Sequence, residues 1–265
     1  MSLVLSPGGR RYGGKPSPVD HRDFGVARLL RSVAPIPSSY SLEQWLGPVR
    51  DQGDEGSCTG NAGAGKVDFL LRKHSPEFTG SNIEFAPVTS AAYLYAKSRM
   101  KDGSFPADSG SYGRTVCKVL VESGICTEPE MPYVAGRYGD APIPGQDAEA
   151  ATIKTGAYHR IVTVDDMRHC IASDYVFIVG FDVRESFETK TGGTHVYAPK
   201  SNEPSLGGHE TLFHSFDDSK FGGAFKVRNS WGGSWADHGD FWFPYDVAAS
   251  PILSDAFVSH FGKPW

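Results

Sequence analysis

Cysteine is scarce in this chain of 265 residues: there are four, Cys58, Cys117, Cys126 and Cys170, and no two form a Cys-x-x-Cys pair. Four in this length are too few for a disulfide-built scaffold, and without such a pair nothing points to a zinc ribbon. Basic residues are outnumbered too, 26 Lys+Arg against 31 Asp+Glu, for a net charge of −5. Phosphate backbones are held by clustered cations, so no nucleic-acid partner is expected. Long apolar runs are missing. The N-terminus offers only Leu3-Val4-Leu5 before Pro7-Gly8-Gly9, too short for the core of a secretory signal, and nothing approaches the roughly 18 apolar residues of a membrane span. The expectation is a soluble protein with no membrane partner. A cytoplasmic compartment is favoured, one that keeps thiols reduced. No cofactor is called for, and the oligomeric state is not encoded.

Glycine and proline, 31 and 18 residues, are plentiful and gather in loops. The first forty residues read as an extended arm, with Gly13-Gly14-Lys15-Pro16 inside it and one helical turn at 26–33. Helical spacing begins at Ser57 and ends at His74-Ser75-Pro76. Gly60, Gly63 and Gly65 lie within that helix, where each costs about 1 kcal/mol relative to alanine, so the helix is expected to be buried with neighbours packed closely against it. Further helices are predicted at 87–100, at 112–123 with Gly124 as C-cap, and at 164–172 behind the Thr163 and Asp166 capping pattern. The run from Gly136 to Ala151 suits a surface connection. Strands are predicted at 175–183, 209–216, 224–229 and 240–243, where Val, Ile, Phe and Tyr dominate between Gly and Asp clusters. Helices first and strands second make an α+β chain: an arm over 1–40, a mainly helical lobe over 41–150 and a mainly β lobe over 151–265.

The chemistry concentrates at Gln52-Gly53-Asp54-Glu55-Gly56-Ser57-Cys58. A cysteine at the first turn of a helix loses its proton more readily, because the helix N-terminus carries partial positive charge. A thiolate nucleophile needs an imidazole and a third group to orient it. His209, after Gly207-Gly208 at the start of a strand, and Asn229, at the end of the next one, are the candidates, since a hairpin-like strand pair brings them together. Taken singly, each has an ordinary structural explanation: a small buried cysteine, a strand histidine and a turn-forming asparagine. A metal set of His209, His214, Asp217 and Asp218 is disfavoured because strand alternation separates the two histidines. Cys117, Cys126 and Cys170 are expected to be buried as small hydrophobes. The aromatic runs 93–95 and 241–243 are expected in the core.

With those residues in hand, the chain resembles the papain-like (C1 family) cysteine peptidases, of the bacterial and viral type without the usual disulfides. Gln52-Gly53-x-x-Gly56-Ser57-Cys58 is similar to the family's nucleophile box, Gly208-His209 to its histidine box and Asn229-Ser230-Trp231-Gly232 to its asparagine box, in the family order. The resemblance implies a two-lobed fold, a helical lobe plus a β-barrel-like lobe with the cleft between them. It also implies a thiol peptidase acting on peptide or protein substrates, with Cys58 as nucleophile, His209 as acid/base, Asn229 orienting the ring and Gln52 donating to the oxyanion. Trp231 would shield the His–Asn bond, and Gly110, Ser111 and Gly208 would line the substrate cleft. No metal is implied. Glu210 and His214 depart from the pattern: small and aliphatic residues are usual there, and these two fall on the face opposite His209, toward solvent or toward the imidazole's surroundings. Two other readings stay open, a catalytically silent peptide-binding protein and a transamidase or amidase using the same residues. The 57 residues before Cys58 do not match the family's long prosegment, and residues 3 to 35 are expected to pack beside or across the cleft.

Overall fold

A computed structural model describes residues 3–21, 23, 25–26, 35–78, 80–188, 193–200 and 202–261. The first half of the chain contributes β1 (Gly14–Lys15), β2 (Ser39–Ser41), α1 (Cys58–His74), α2 (Ala91–Lys101), β3 (Ser111–Tyr112), α3 (Gly113–Glu122) and α4 (Pro144–Ala150). The second contributes β4 (Tyr158–Arg160), α5 (Val164–Ala172), β5 (Phe177–Arg184), α6 (Glu185–Glu188) and β6 (Ser205–Asp217). It ends with β7 (Ala224–Arg228), β8 (Asp240–Pro244), α7 (Tyr245–Ala248) and β9 (Leu253–Ser259). The architecture is α+β. Six strands run in the order β4-β9-β5-β6-β7-β8, with β2 added against β6. The path ends at β4 and β8, which do not pair with each other among the described residues, so the sheet is open rather than barrel-like.

Helix α1 is buried nearly all round because it is packed from several sides, by β6, α2 and α3. Its glycines explain how. A Cβ at Gly60 would stand 2.7 Å from the Ala91 carbonyl oxygen, and one at Gly63 2.5 Å from Val116 Cγ1. Only Gly65, 3.6 Å from Leu212 Cδ2, has ordinary space. Buried Asp68 is fully engaged, taking Arg50 Nη2 at 2.6 Å and both the main-chain N–H and hydroxyl of Thr89 at 2.8 Å. That tie delays α2, predicted from residue 87: Thr89 is held by Asp68, and Ser90 becomes the cap, accepting from Tyr93 N at 3.0 Å. Gly124 closes α3 as expected, at φ +85° with its N–H on the Val119 carbonyl. The 136–151 run is not all connection, since Pro144 opens α4, where Gln146 Oε1 takes the Ile143 N–H at 3.0 Å.

In the β half, Thr163 caps α5 by accepting from Asp166 N at 3.0 Å. The long strand β6 carries pairs with β5 on one side and β7 on the other. Glu210 and His214 do not face solvent; both are buried. His214 Nε2 lies 3.4 Å from Asp240 Oδ2, and Asp240 also takes the Arg228 guanidinium. Burial alone would raise the Asp240 carboxyl, but the neighbouring His214 ring and the Arg228 guanidinium outweigh it and bring it down to about 2. All four cysteines are free and buried, and the aromatic residues Tyr93, Tyr95, Phe241 and Phe243 are in the core. Most of the helical turn predicted at 26–33 lies outside the described residues.

Unfolding in urea should separate the α1 glycines. Gly60→Val is expected to cost about 1–3 kcal/mol by overpacking, whereas Gly65→Ala is expected to be neutral or to stabilise by up to about 1 kcal/mol.

Candidate active site

Cys58 opens α1 at the bottom of a slot walled by Gly56 and Gly110 on one side and by Gly208 and His209 on the other. The loop before it is zipped to the segment after β7: Gln52 N donates to the Ser230 carbonyl and Gly232 N to that of Arg50, both at 2.9 Å. This fixes buried Gln52. Its Oε1 accepts from Ser230 Oγ at 2.6 Å, while Nε2 gives one proton to the Glu55 carbonyl at 2.7 Å and keeps a second.

The β6–β7 pairing returns Asn229 to His209, as the hairpin expectation required. His209 Nε2 lies 2.7 Å from Asn229 Oδ1, an oxygen that also accepts from Ser230 N at 2.8 Å. An acceptor oxygen makes Nε2 the protonated nitrogen of the neutral ring, leaving Nδ1 with a bare lone pair. Nδ1 is buried with no hydrogen-bond partner among the described residues. Trp231 lies over the pair, its ring centroid 5.2 Å from that of His209. The Cys58 sulfur accepts from the main-chain N–H groups of Glu210, Gly13 and Thr59, which sets it against the strand that carries His209.

The N-terminal arm fills the slot. Gly13 O takes the Ser111 N–H at 2.9 Å, and β1 continues along β3 in parallel register, Gly14 opposite Ser111. The fit is backbone on backbone. A Cβ at Gly13 would stand 1.8 Å from the Gly56 carbonyl oxygen, one at Gly110 2.0 Å from that of Gly13, and one at Gly208 2.0 Å from that of Gly14. Glu188 at the end of α6 pins the preceding turn, accepting from Tyr12 Oη at 2.5 Å, from Gly8 N at 3.1 Å and from Ser6 Oγ. Arg10 lies 4.0 Å over the Trp231 ring. Downstream, Ser17 N reaches Asp255 Oδ2 at 2.7 Å, and Asp23 forms a buried ion pair with Arg114 at 2.5 Å. Of the described residues in the 3–35 stretch, Gly13 and Gly14 thus lie across the slot, and Ser17 and Asp23 pack beside it.

Under this cover the chemistry is muted. Cys58 and His209 are both wholly inaccessible. Burial pushes the thiol up to about 12, although three N–H donors pull the other way. Burial also drives the imidazole down to about 4; the Asn229 bond opposes that shift and the Arg10 charge adds to it. Both partners are therefore neutral near pH 7 in the closed chain. Arg10 and Glu188 were not among the residues singled out from sequence. Their one signal is Gly13-Gly14 between Tyr12 and Lys15, two adjacent residues without side chains inside an extended arm. Among the described residues no three His, Cys, Asp or Glu side chains gather as a metal set, and no helix is long and apolar enough to cross a membrane.

The family model for papain family cysteine proteases matches residues 37–258. A peptidase C1-like protein of Acanthamoeba polyphaga mimivirus is 31% identical over 87% of this chain and 74% of its own length. Pro-cathepsin H of Medicago truncatula is 23% identical over 82% of this chain, which spans 59% of that relative. Among solved structures, xylellain, a cysteine protease from Xylella fastidiosa, superposes with a TM-score of 0.83 at 28% identity, covering 99% of this chain and 100% of its own.

The occluded slot predicts a specific reactivity. In the intact chain, Cys58 alkylation by iodoacetamide should rise about tenfold per pH unit from 7 to 10 without a plateau, as for a thiol titrating above that range. Gly13→Ala, whose methyl cannot fit beside Gly56, should react at least about tenfold faster at pH 7 and level off at lower pH. Mass spectrometry of the labelled Cys58 peptide measures both, and equal rates in the two proteins would refute occlusion.

Proposed function

The chain belongs to the papain family of cysteine proteases, and we propose that it hydrolyses peptide bonds through Cys58, His209 and Asn229 once its own arm has left the cleft. It is a cysteine-type peptidase by family; the residue roles are our reading. The observation that carries them is the orientation of His209, with Nε2 committed to Asn229 and Nδ1 left bare in the neighbourhood of a helix-terminal thiol. A peptide or protein substrate replaces Gly13–Gly14 in the slot, its main chain taking the Ser111 N–H. Exposure of the pair to water relieves the desolvation that holds both groups neutral, and the thiol proton passes to Nδ1. The Cys58 sulfur then attacks the scissile carbonyl carbon. The oxyanion that forms is met by the Cys58 N–H and by the second proton on Gln52 Nε2. Collapse breaks the C–N bond as Nδ1–H protonates the leaving amine, and a water activated by the same nitrogen hydrolyses the thioester.

Trp231, lying over the imidazole, keeps water from the His209–Asn229 bond and so strengthens it. Gly110 and Gly208 supply backbone without side chains where the substrate main chain must pass. We read 41–150 and 151–265 as the two lobes that meet at this slot, with 1–40 as the arm.

In the Gly13→Ala background, internally quenched peptides test the roles. Cys58→Ala should abolish cleavage, and Gln52→Ala should lower kcat by about 10²-fold with KM little changed, because the oxyanion exists only in the transition state. Cleavage that survives Cys58→Ala would refute the reading; labelled Cys58 with no cleavage would favour a silent peptide-binding protein, and acyl transfer to an added amine without hydrolysis a transamidase.

A further inference from the structure

Glu210 follows His209 on β6, so its side chain leaves the strand on the face opposite the imidazole while its own N–H meets the Cys58 sulfur. The side chain is 1% exposed, and neither carboxylate oxygen has a hydrogen-bond partner among the described residues. A buried acid left so is costly unless something completes it. Asp255 of β9 stands beside it: among the described residues Oδ1 is equally unpartnered, and the carboxylate is held by the N–H and side chain of Ser17, a residue of the arm. Glycines make the room. A Cβ on Gly113 would stand 2.6 Å from Glu210 Oε1, and one on Gly180 2.7 Å from Asp255 Oδ1 and 3.2 Å from Glu210 Oε2.

The cations nearby are already occupied or stand off. Lys66 of α1 attracts Glu210 without hydrogen-bonding it, its ammonium instead lying 3.4 Å from Cys117 Sγ. Arg114 is committed to Asp23, and Arg160 acts on Asp255 from a distance. The position of these acids relative to the slot is set by the chain itself. Ser111 and Tyr112, which hold the main chain of whatever lies in the slot, run directly into Gly113. A substrate on the same track therefore passes beside Glu210, and so does the arm between Gly14, packed on His209, and Ser17, bound to Asp255.

We propose that Glu210, with Asp255 beside it, is the floor of a subsite that takes the ammonium or guanidinium of a lysine or arginine side chain of the substrate. The assignment rests on the peptidase reading of Cys58 and names its substrate class. Burial and the neighbouring Asp255 push the Glu210 carboxyl well above its ordinary range, against the pull of Lys66, which favours its protonated form in the closed chain. An arriving cation pairs with it as a carboxylate, and the displaced proton passes to solvent. An uncharged side chain of the same length leaves the acid as it was.

The test uses full-length Gly13→Ala chain and peptidyl epoxides bearing lysine, or acetyl-lysine of nearly the same shape without charge, at each of the three positions next to the reactive group. At one position the lysine reagent should label Cys58 at least about tenfold faster than its acetyl-lysine counterpart. That ratio should fall toward one in Glu210→Gln or in Asp255→Asn, even if either variant also loses general reactivity, because the ratio cancels that loss. A ratio near one at all three positions, or a ratio unchanged in both variants, overturns the proposal. Cleavage of an internally quenched peptide library is followed in parallel: peptides cut with no charge preference refute the subsite alone, whereas labelling with charge preference and no cutting refutes the peptidase reading alone.

Discussion

The rest of the site depends on one contact, the Gly13–Gly14 main chain lying between Gly56 and Gly110 on one wall and Gly208 on the other. Backbone can approach backbone this closely only where Cβ atoms are missing on both sides. Five glycines from four separate stretches of sequence satisfy that condition at once. The same approach brings Gly13 N–H to the thiol and Gly13 O to Ser111 N–H, the hydrogen bonds that we propose a peptide in the slot would use. Glu188, Asp255 and the Asp23–Arg114 pair hold it on either side.

Occupancy and electrostatics are then the same fact. A thiolate–imidazolium pair needs either water or fixed dipoles around it, and the closed slot removes the water. The thiol rises and the imidazole falls, which leaves two neutral groups. The geometry of His209 and Asn229 does not wait on opening, because their bond is made by the β6–β7 pairing and held under Trp231.

Much of this was legible in the sequence where local chemistry and tertiary need agree. Cys58 at a helix start, His209 after two glycines and Asn229 one strand later each have a local signature, and the glycines of α1 announced their own close packing. Strand β9 was missed because Ser254 and buried Asp255 break its apolar run, β4 because three residues carry no pattern, and α4 because its glycine and proline read as loop. For Glu210 and His214 the choice between solvent and the imidazole's surroundings stayed open for a related reason. Charged residues in a strand ordinarily face water, and only the tertiary structure shows that His214 meets Asp240 and that Gly113 and Gly180 make space for Glu210. The clamp of Glu188 on Ser6, Gly8 and Tyr12 spans some 180 residues of sequence, and its one local trace is Gly13-Gly14 beside Tyr12.

A crystal structure of the full-length chain labelled at Cys58 by a peptidyl epoxide tests the central claim most directly. The account predicts that the peptide of the label occupies the slot and accepts the Ser111 N–H, with residues 10–17 withdrawn from it. Label on another cysteine, or a Cys58 adduct with Gly13–Gly14 still seated between Gly56, Gly110 and Gly208, would contradict it.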